Sequence, residues 1–374
     1  MTPRREVNVF VFLGHGFGAS NWAARYARGM IPGINEALPY GYYLAAGEGW
    51  SINYSEDTRE TQSVALFRRS LRKALGLDLI HALRNRQRLF ESDIVWTHTE
   101  FEHLAVLTLL RCASRRRRPL VLANCIWLFD KWRRLSKRRQ AVIRGLIKEA
   151  DLVTSLCSAG VTAATELFPQ VATKETAFGI KFADAVPRKA RTTPGPIRVL
   201  AIGNDPDRDW PTLEKAVNGC ANIELAIASH SNHAPKPSAN ISLTKAHTEQ
   251  EILKLYDWAD LVAVILKPNL HASGITTALE AVVRSAPVVA TDTPGLRDYF
   301  DDEELHYVPV GDHDALREAL HTLGHDSARR YRLTEASLHR SLASDYTSRG
   351  FAMRCKSASS ALMGINANSI ASEN

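Results

Sequence analysis

Residues 271–280 read HASGITTALE, separated by the four residues KPNL (267–270) from the apolar run DLVAVIL (260–266). A strand ending near Leu266 and a helix opening near Gly274 would aim several unpaired backbone N–H groups at one spot. Those donors and the helix dipole favour a phosphate. Gly274 lets an anion approach the backbone closely, Ser273 and Thr276 add hydroxyl donors, and Lys267 adds charge at the strand end. Glu280 stands about two turns into the helix, too deep for the phosphates. A carboxylate there can accept from two hydroxyls at once, which suits a ribose diol. The same residues also fit a capped surface helix with a solvated glutamate.

A second strand–glycine–cation sequence, AIGNDPDRDW (201–210), precedes the helical segment PTLEKAV. Arg208 there could clamp a diphosphate with two parallel N–H bonds. It could equally be a turn arginine paired with Asp205 or Asp209.

In the first half, GHGFGAS (14–20) follows the first strand and supplies Gly14, Gly16 and Gly18. The spacing is not that of GxGxxG and no acid stands at a ribose position, so a dinucleotide site is not expected. The loop is expected to let a phosphate or another ligand group approach, with His15 directed at it. The run DIVWTH ends in His98, followed by Thr99 and Glu100. Either His98 or Glu100 could accept a proton from a ligand hydroxyl or touch the ligand, or His98 could be a hydrogen-bonded loop histidine. The next strand end, ANCIWLFD (123–130), offers only Asn124 and Asp130 as polar residues. The catalytic expectation therefore falls on His98, Glu100 and His15.

These loops need a scaffold that presents them together. VNVFVFL, SDIVWTH (92–98), RPLVLANCIW (118–127) and ADLVTSLCS (150–158) are β-branched or apolar runs separated by amphipathic segments. After AVPRKARTTPGP (185–196), a linker rich in Pro and Thr, the rhythm restarts with IRVLAIG (197–203), IELAIAS (223–229), DLVAVIL, APVVAT (286–291) and HYVPV (306–310). Strand, helix, strand in this order predicts α/β architecture with two parallel sheets. The expected layout is one domain over 1–184, a second over 197–340, and a helical tail over 341–374 that packs back on the body. Ligands of open α/β sheets bind at the C-terminal strand ends, here in a cleft between the domains.

The order strand–glycine–cation, strand–Lys267–HASG–Glu280, then APVVATDTPGLRDY resembles the C-terminal domain of GT-B nucleotide-sugar glycosyltransferases of family 4, over residues 148–300. The resemblance implies two Rossmann-like domains facing each other across a cleft, an acceptor domain over 1–184 and a nucleotide-sugar domain over 197–340, and a UDP- or GDP-sugar as substrate. It also implies hexosyl transfer with retention, without cofactor or metal. It assigns donor binding to Gly203, Arg208, Lys267, His271, Ser273, Gly274, Ile275, Thr276 and Glu280. Two features depart from the family pattern. Glu280 matches the second of a glutamate pair whose first member falls on or beside His271. Asn204 follows Gly203, and Arg208 replaces a lysine. The diphosphate leaving group would be stabilised electrostatically by Arg208, Lys267 and the helix terminus.

Charge points to a partner surface. Residues 1–184 hold 27 Lys/Arg against 17 Asp/Glu, while the whole chain of 374 residues carries a net charge of +7. The surplus concentrates in 67–90, RRRRP (115–119) and 131–148. Arg68, Arg69, Arg72, Lys73, Arg133, Arg134, Lys137 and Arg138 are expected to face an anionic inner-membrane surface, each contributing about 1 kcal/mol there. The apolar stripe of Trp132, Leu135, Val142 and Leu146 is either membrane-directed or the core face of a domain helix. A lipid-pyrophosphate-linked oligosaccharide in a bacterial membrane would supply both negative charge and a glycosyl acceptor for surface polysaccharide synthesis. A sugar-nucleotide epimerase of the same fold, or a polyanion-binding protein, are the alternatives. Nucleic acid is not expected, because few aromatics interleave the basic runs. Five cysteines without CxxC spacing predict reduced thiols and no zinc site, and the N-terminus reads as a strand rather than a signal peptide. A cytoplasmic protein peripherally bound to the inner membrane is expected.

Overall fold

A computed structural model of the protein describes residues 6–113, 118–182 and 195–365. Most of the expected linker and part of the RRRRP run lie outside the described residues. Contacts divide the chain into two units. One comprises Met1–Ala27, Glu36–Ala177 and Ser348–Asn374, and the other Arg28–Asn35 and Phe178–Thr347.

The first unit is built on a six-stranded parallel sheet of β1 (Val7–Phe12), β2 (Trp50–Tyr54), β3 (Ile94–Thr97), β4 (Leu120–Cys125), β5 (Leu152–Ser155) and β6 (Thr173–Glu175). Its order is β2-β1-β3-β4-β5-β6. Strands β3 and β5 are buried along their whole length, because a parallel sheet covered on both faces needs apolar residues on both. The C-terminal helix Ser348–Leu362 groups with this unit. It buries Phe351, Ala352, Cys355 and Ala358, and Trp96 Nε1 donates to Ser359 Oγ at 2.8 Å.

The second unit carries β7 (Ile197–Ile202), β8 (Ile223–Ala228), β9 (Ile241–Thr244), β10 (Leu261–Val264), β11 (Val288–Thr291) and β12 (His306–Val308). Their order is β12-β11-β10-β7-β8-β9, all parallel. This is the doubly wound order, with its switch point between β7 and β10. Crossovers leave these two neighbours in opposite directions, which opens a crevice beyond their C-terminal ends.

The unit boundaries differ from those expected at 184 and 340: the second unit takes up Phe178 and runs to Thr347. Residues 28–35 fold with the second sheet, and the final described helix folds with the first. Three strands, β2, β6 and β9, were not expected from the sequence. All three are sheet edges.

Candidate active site

The loops after β7 and β10 are the two that the switch point brings together. They pair directly. Asp209 N donates to Ile265 O at 2.9 Å and Lys267 N to Asp207 O at 2.8 Å, with an antiparallel bridge between Arg208 and Leu266. Asp209 caps the Trp210–Val217 helix through Thr212, so the Arg208 side chain is free to turn inward.

Arg208 is 5 % exposed. Its Nη2 donates to Thr277 Oγ1 at 2.9 Å, which sets the guanidinium at the start of the Ile275–Val283 helix. Nε and Nη1 are buried without a hydrogen-bond partner among the described residues, and so is Ser273 Oγ. Burial lowers the Arg208 pKa, against the pull of Asp205, Tyr256 and Glu280, yet a guanidinium stays charged in a protein. A buried cation with open donors is costly unless an anion meets it. The helix itself begins at Gly274, φ 79°, with no side-chain cap and no acid in its first turn. Its terminal amides and Arg208 are donors of the kind that suit an anion.

Beside it lies a cavity of about 180 Å³, lined by Pro32, Gly33, Asn204, Ser229, Thr276 and Glu280 among others. Whole small-molecule sites are usually about 300 Å³ or more, so this one is large enough for only part of such a ligand. Glu280 stands in its wall, 5 % exposed. Its Oε1 accepts from Ile34 N at 2.8 Å and its Oε2 from Tyr256 OH at 2.9 Å. Burial raises its pKa, offset in part by those two donors and by Arg208. Each carboxylate oxygen has a second lone pair, so the two protein donors leave capacity for a ligand diol.

The other expected donor residues divide. Thr276 lines the cavity and is exposed, while Ile275 is buried. Lys267 is exposed and its Nζ donates to Pro206 O at 3.1 Å. His271 is 3 % exposed, with Nε2 3.2 Å from Asp205 Oδ2 and 4.0 Å from Asp207 Oδ2. Gly203 sits beneath Arg208. Sequence reading missed Pro32 and Gly33, which come from a turn far away in the chain, as well as Thr277 and Tyr256. A Pro-Gly pair announces a turn but not what the turn packs on.

The first sheet has its own switch point, between β1 and β3, and its loops are closed rather than open. Gly14 N donates to Glu102 Oε1 at 3.0 Å. Gly16 N and Gly18 N donate to the two carboxylate oxygens of Asp57 at 2.9 and 3.2 Å. This corrects the expectation of a phosphate loop at Gly14, Gly16 and Gly18: their amides are already taken by carboxylates, which would repel a phosphate. His98, a catalytic candidate, is enclosed by the rings of Tyr40, Tyr42 and Phe351. It is 5 % exposed, its ring stacks on Tyr40 at 3.6 Å, and its Nδ1 lies 2.9 Å from Tyr42 OH. Burial pushes its pKa down to about 3, so it stays neutral. His15 is half-buried, with Nε2 3.8 Å from Glu60 Oε2. Glu100 is buried, accepts from Trp127 N at 3.2 Å, and has its pKa raised by burial against the pull of Lys131.

Of the basic residues, Arg69, Lys73, Arg133, Arg134, Lys137 and Arg138 are exposed and Arg72 is half-buried. Arg68 is not surface-facing. It lies 4 % exposed between Glu60 and Asp78, with Nε 2.9 Å from Glu60 Oε1 and Nη1 2.6 Å from Asp78 Oδ2. No helix among the described residues is long and apolar enough to cross a membrane.

No protein-family model matches the chain, and no curated protein matches it. Solved structures do. The chain is similar to sucrose-phosphate synthase from Thermosynechococcus elongatus, with TM-score 0.69, 16 % identity, and 96 % of this chain and 100 % of that one covered. It is similar to Anabaena HepE in complex with UDP-glucose, with TM-score 0.64, 13 % identity, and 94 % and 99 % covered. A glycosyltransferase from Rickettsia africae gives TM-score 0.59 at 10 % identity, with 97 % and 100 % covered. These likenesses, with the two parallel six-stranded sheets, establish that the chain has the GT-B fold.

Proposed function

We propose that this protein is a glycosyltransferase that takes a sugar from a nucleoside-diphosphate donor. The observation that carries the reading is Arg208, a buried guanidinium with two unpartnered nitrogens at an uncapped helix N-terminus, beside the cavity walled by Glu280. In this reading the diphosphate lies against Arg208, Ser273 and the amides after Gly274, with Lys267 at the rim. The ribose is held by Glu280, and the base lies toward Asn204, Ser229 and His230. The charge that grows on the leaving diphosphate is met by donors already in place, so little reorganisation is needed during reaction. Support comes from Anabaena HepE, a structural neighbour with bound UDP and UDP-glucose, and from the motif order resembling family 4. The donor is then a UDP- or GDP-hexose, transferred with retention by attack on the face the diphosphate leaves. Such attack needs no protein nucleophile and no metal.

The acceptor in this reading is a lipid-pyrophosphate-linked saccharide of a bacterial surface polysaccharide, reached from the cytoplasmic face of the inner membrane. The basic surplus of the first half and the exposed Arg69, Lys73, Arg133 and Arg134 support it. A thermal-shift screen of UDP-, GDP- and ADP-sugars tests the donor. A sugar nucleotide at about 100 times its Kd adds roughly 2.7 kcal/mol of stability. Nucleoside diphosphate release that requires lipid-linked acceptor supports transfer; conversion of the donor without acceptor supports epimerisation instead.

A further inference from the structure

The first unit contains a cavity of about 510 Å³ that the donor chemistry does not use. Its walls come from the Gln62–Leu75, Glu100–Cys112 and Lys137–Ile147 helices and from residues between them. The floor is apolar, with Leu104, Leu128, Leu135 and Ile143, and the edge carries Arg69, Arg72, Lys73, Lys131 and Arg139. Arg72 lies 5.1 Å from the centroid of Phe101, and Lys131 Nζ 5.5 Å from the same ring. Against five cations stands one acid. Glu100 Oε1 is buried without a hydrogen-bond partner among the described residues, with Lys131 Nζ 3.8 Å away.

The helix at the edge is unusual in what it buries. Across Gln62–Leu75 the buried residue is Arg68, while Leu66 and Phe67 are 66 % and 63 % exposed, and Val64 and Leu75 are also exposed. A cation-edged, apolar-floored cavity matches an amphiphile: an anionic group at the edge and a chain on the floor. The lone carboxyl of Glu100 adds a place for a hydroxyl next to that anion.

We propose that this cavity binds one molecule of an anionic glycerophospholipid whose headgroup carries a hydroxyl, such as phosphatidylglycerol. The phosphate lies among Arg69, Arg72, Lys73, Lys131 and Arg139, and a headgroup hydroxyl meets Glu100. The start of an acyl chain rests on Phe101, Leu104 and Leu128. This extends the membrane part of the proposed function from diffuse charge attraction to a stoichiometric site, and rests on that part alone.

Dihexanoyl phosphatidylglycerol, kept below its micelle concentration, is titrated into the full-length protein and followed by calorimetry. The proposal predicts saturable one-to-one binding. Dihexanoyl phosphatidylcholine, which has no net charge, and glycerol phosphate, which has no chain, are each expected to bind at least about tenfold more weakly. The pair Arg72→Gln/Arg139→Gln should lose at least about tenfold in affinity, and Arg133→Gln/Arg134→Gln, outside the cavity, should not. Glu100→Gln should remove the preference for phosphatidylglycerol over phosphatidic acid of the same chain length. Equal binding of glycerol phosphate would make the cavity a simple anion site and overturn the proposal. So would vesicle binding lost equally in both arginine pairs with no binding of the monomeric lipid. The thermal shift with sugar nucleotide, run in parallel, should be the same in wild type and both pairs, so either reading can fail without the other.

Discussion

Arg208 occupies the space that a side chain on Gly203 would need: a Cβ there would fall 2.2 Å from Arg208 Nε. Gly203 also has φ 154°, a conformation that glycine adopts without steric penalty. The glycine after β7 is therefore what lets the guanidinium lie against the Ile275–Val283 helix. Gly203→Ala should move the guanidinium, costing about 1–3 kcal/mol of stability and at least about tenfold in affinity for a nucleoside diphosphate. Urea unfolding and titration calorimetry read the two effects. Unchanged affinity would separate Arg208 from diphosphate binding.

Gly33, with φ 93°, stands in the same relation to Glu280, whose Oε1 would lie 2.5 Å from an added Cβ. Gly33→Ala should push the turn at Pro32 away from the carboxylate and break the bond to Ile34 N. The expected cost is about 1–3 kcal/mol for the unsatisfied group. Nucleoside binding should weaken with it, while inorganic pyrophosphate binding should change little. A competition assay with the nucleoside and with pyrophosphate distinguishes the two.

Glu102 gives a pH signature in the first unit. It accepts from Gly14 N and His98 N, but burial dominates and pushes its pKa up to about 7. Raising the folded pKa of an acid above its unfolded value stabilises the fold at low pH, and that contribution is lost as pH rises through the window from about 4.5 to about 7. The loss amounts to about 3 kcal/mol across the window. Glu102→Gln does not titrate, so its stability should lack this slope. Urea midpoints at pH 5 and pH 8 make the comparison; equal slopes in both proteins would contradict it.

Arg68 is a structural residue amid a basic helix. Arg68→Ala leaves Glu60 and Asp78 buried with reduced compensation and should cost roughly 3 kcal/mol. Arg69→Ala, three bonds along the same backbone turn but exposed, should be within about 0.5 kcal/mol of wild type. Thermal unfolding of the two variants is the check. A small loss for Arg68→Ala would place the arginine outside the core.

The central strands could be read from the sequence because they are apolar on both faces, as in LVAV of β10 and IVWT of β3. The edge strands β2, β6 and β9 are half-polar, with Asn53, Lys174 and Ser242 exposed, and carry no long apolar run to mark them. The placement of the candidate donor residues was legible for a local reason. Gly203, Arg208, Ser273 and Gly274 owe their positions to strand ends and a helix start that neighbouring residues dictate. The fates of Gly14, Gly16 and Gly18 were not legible, because Asp57 and Glu102, which take their amides, lie 39 or more residues away in sequence. The same holds for Gly33 and Glu280, 247 positions apart, whose contact no local periodicity announces.

The most direct measurement is the affinity of wild type and Arg208→Gln for a nucleoside diphosphate and for its parent nucleoside, by titration calorimetry. The account predicts that wild type prefers the diphosphate by at least about a hundredfold and that Arg208→Gln loses most of that preference while keeping nucleoside affinity. A diphosphate preference that survives unchanged in Arg208→Gln would contradict it.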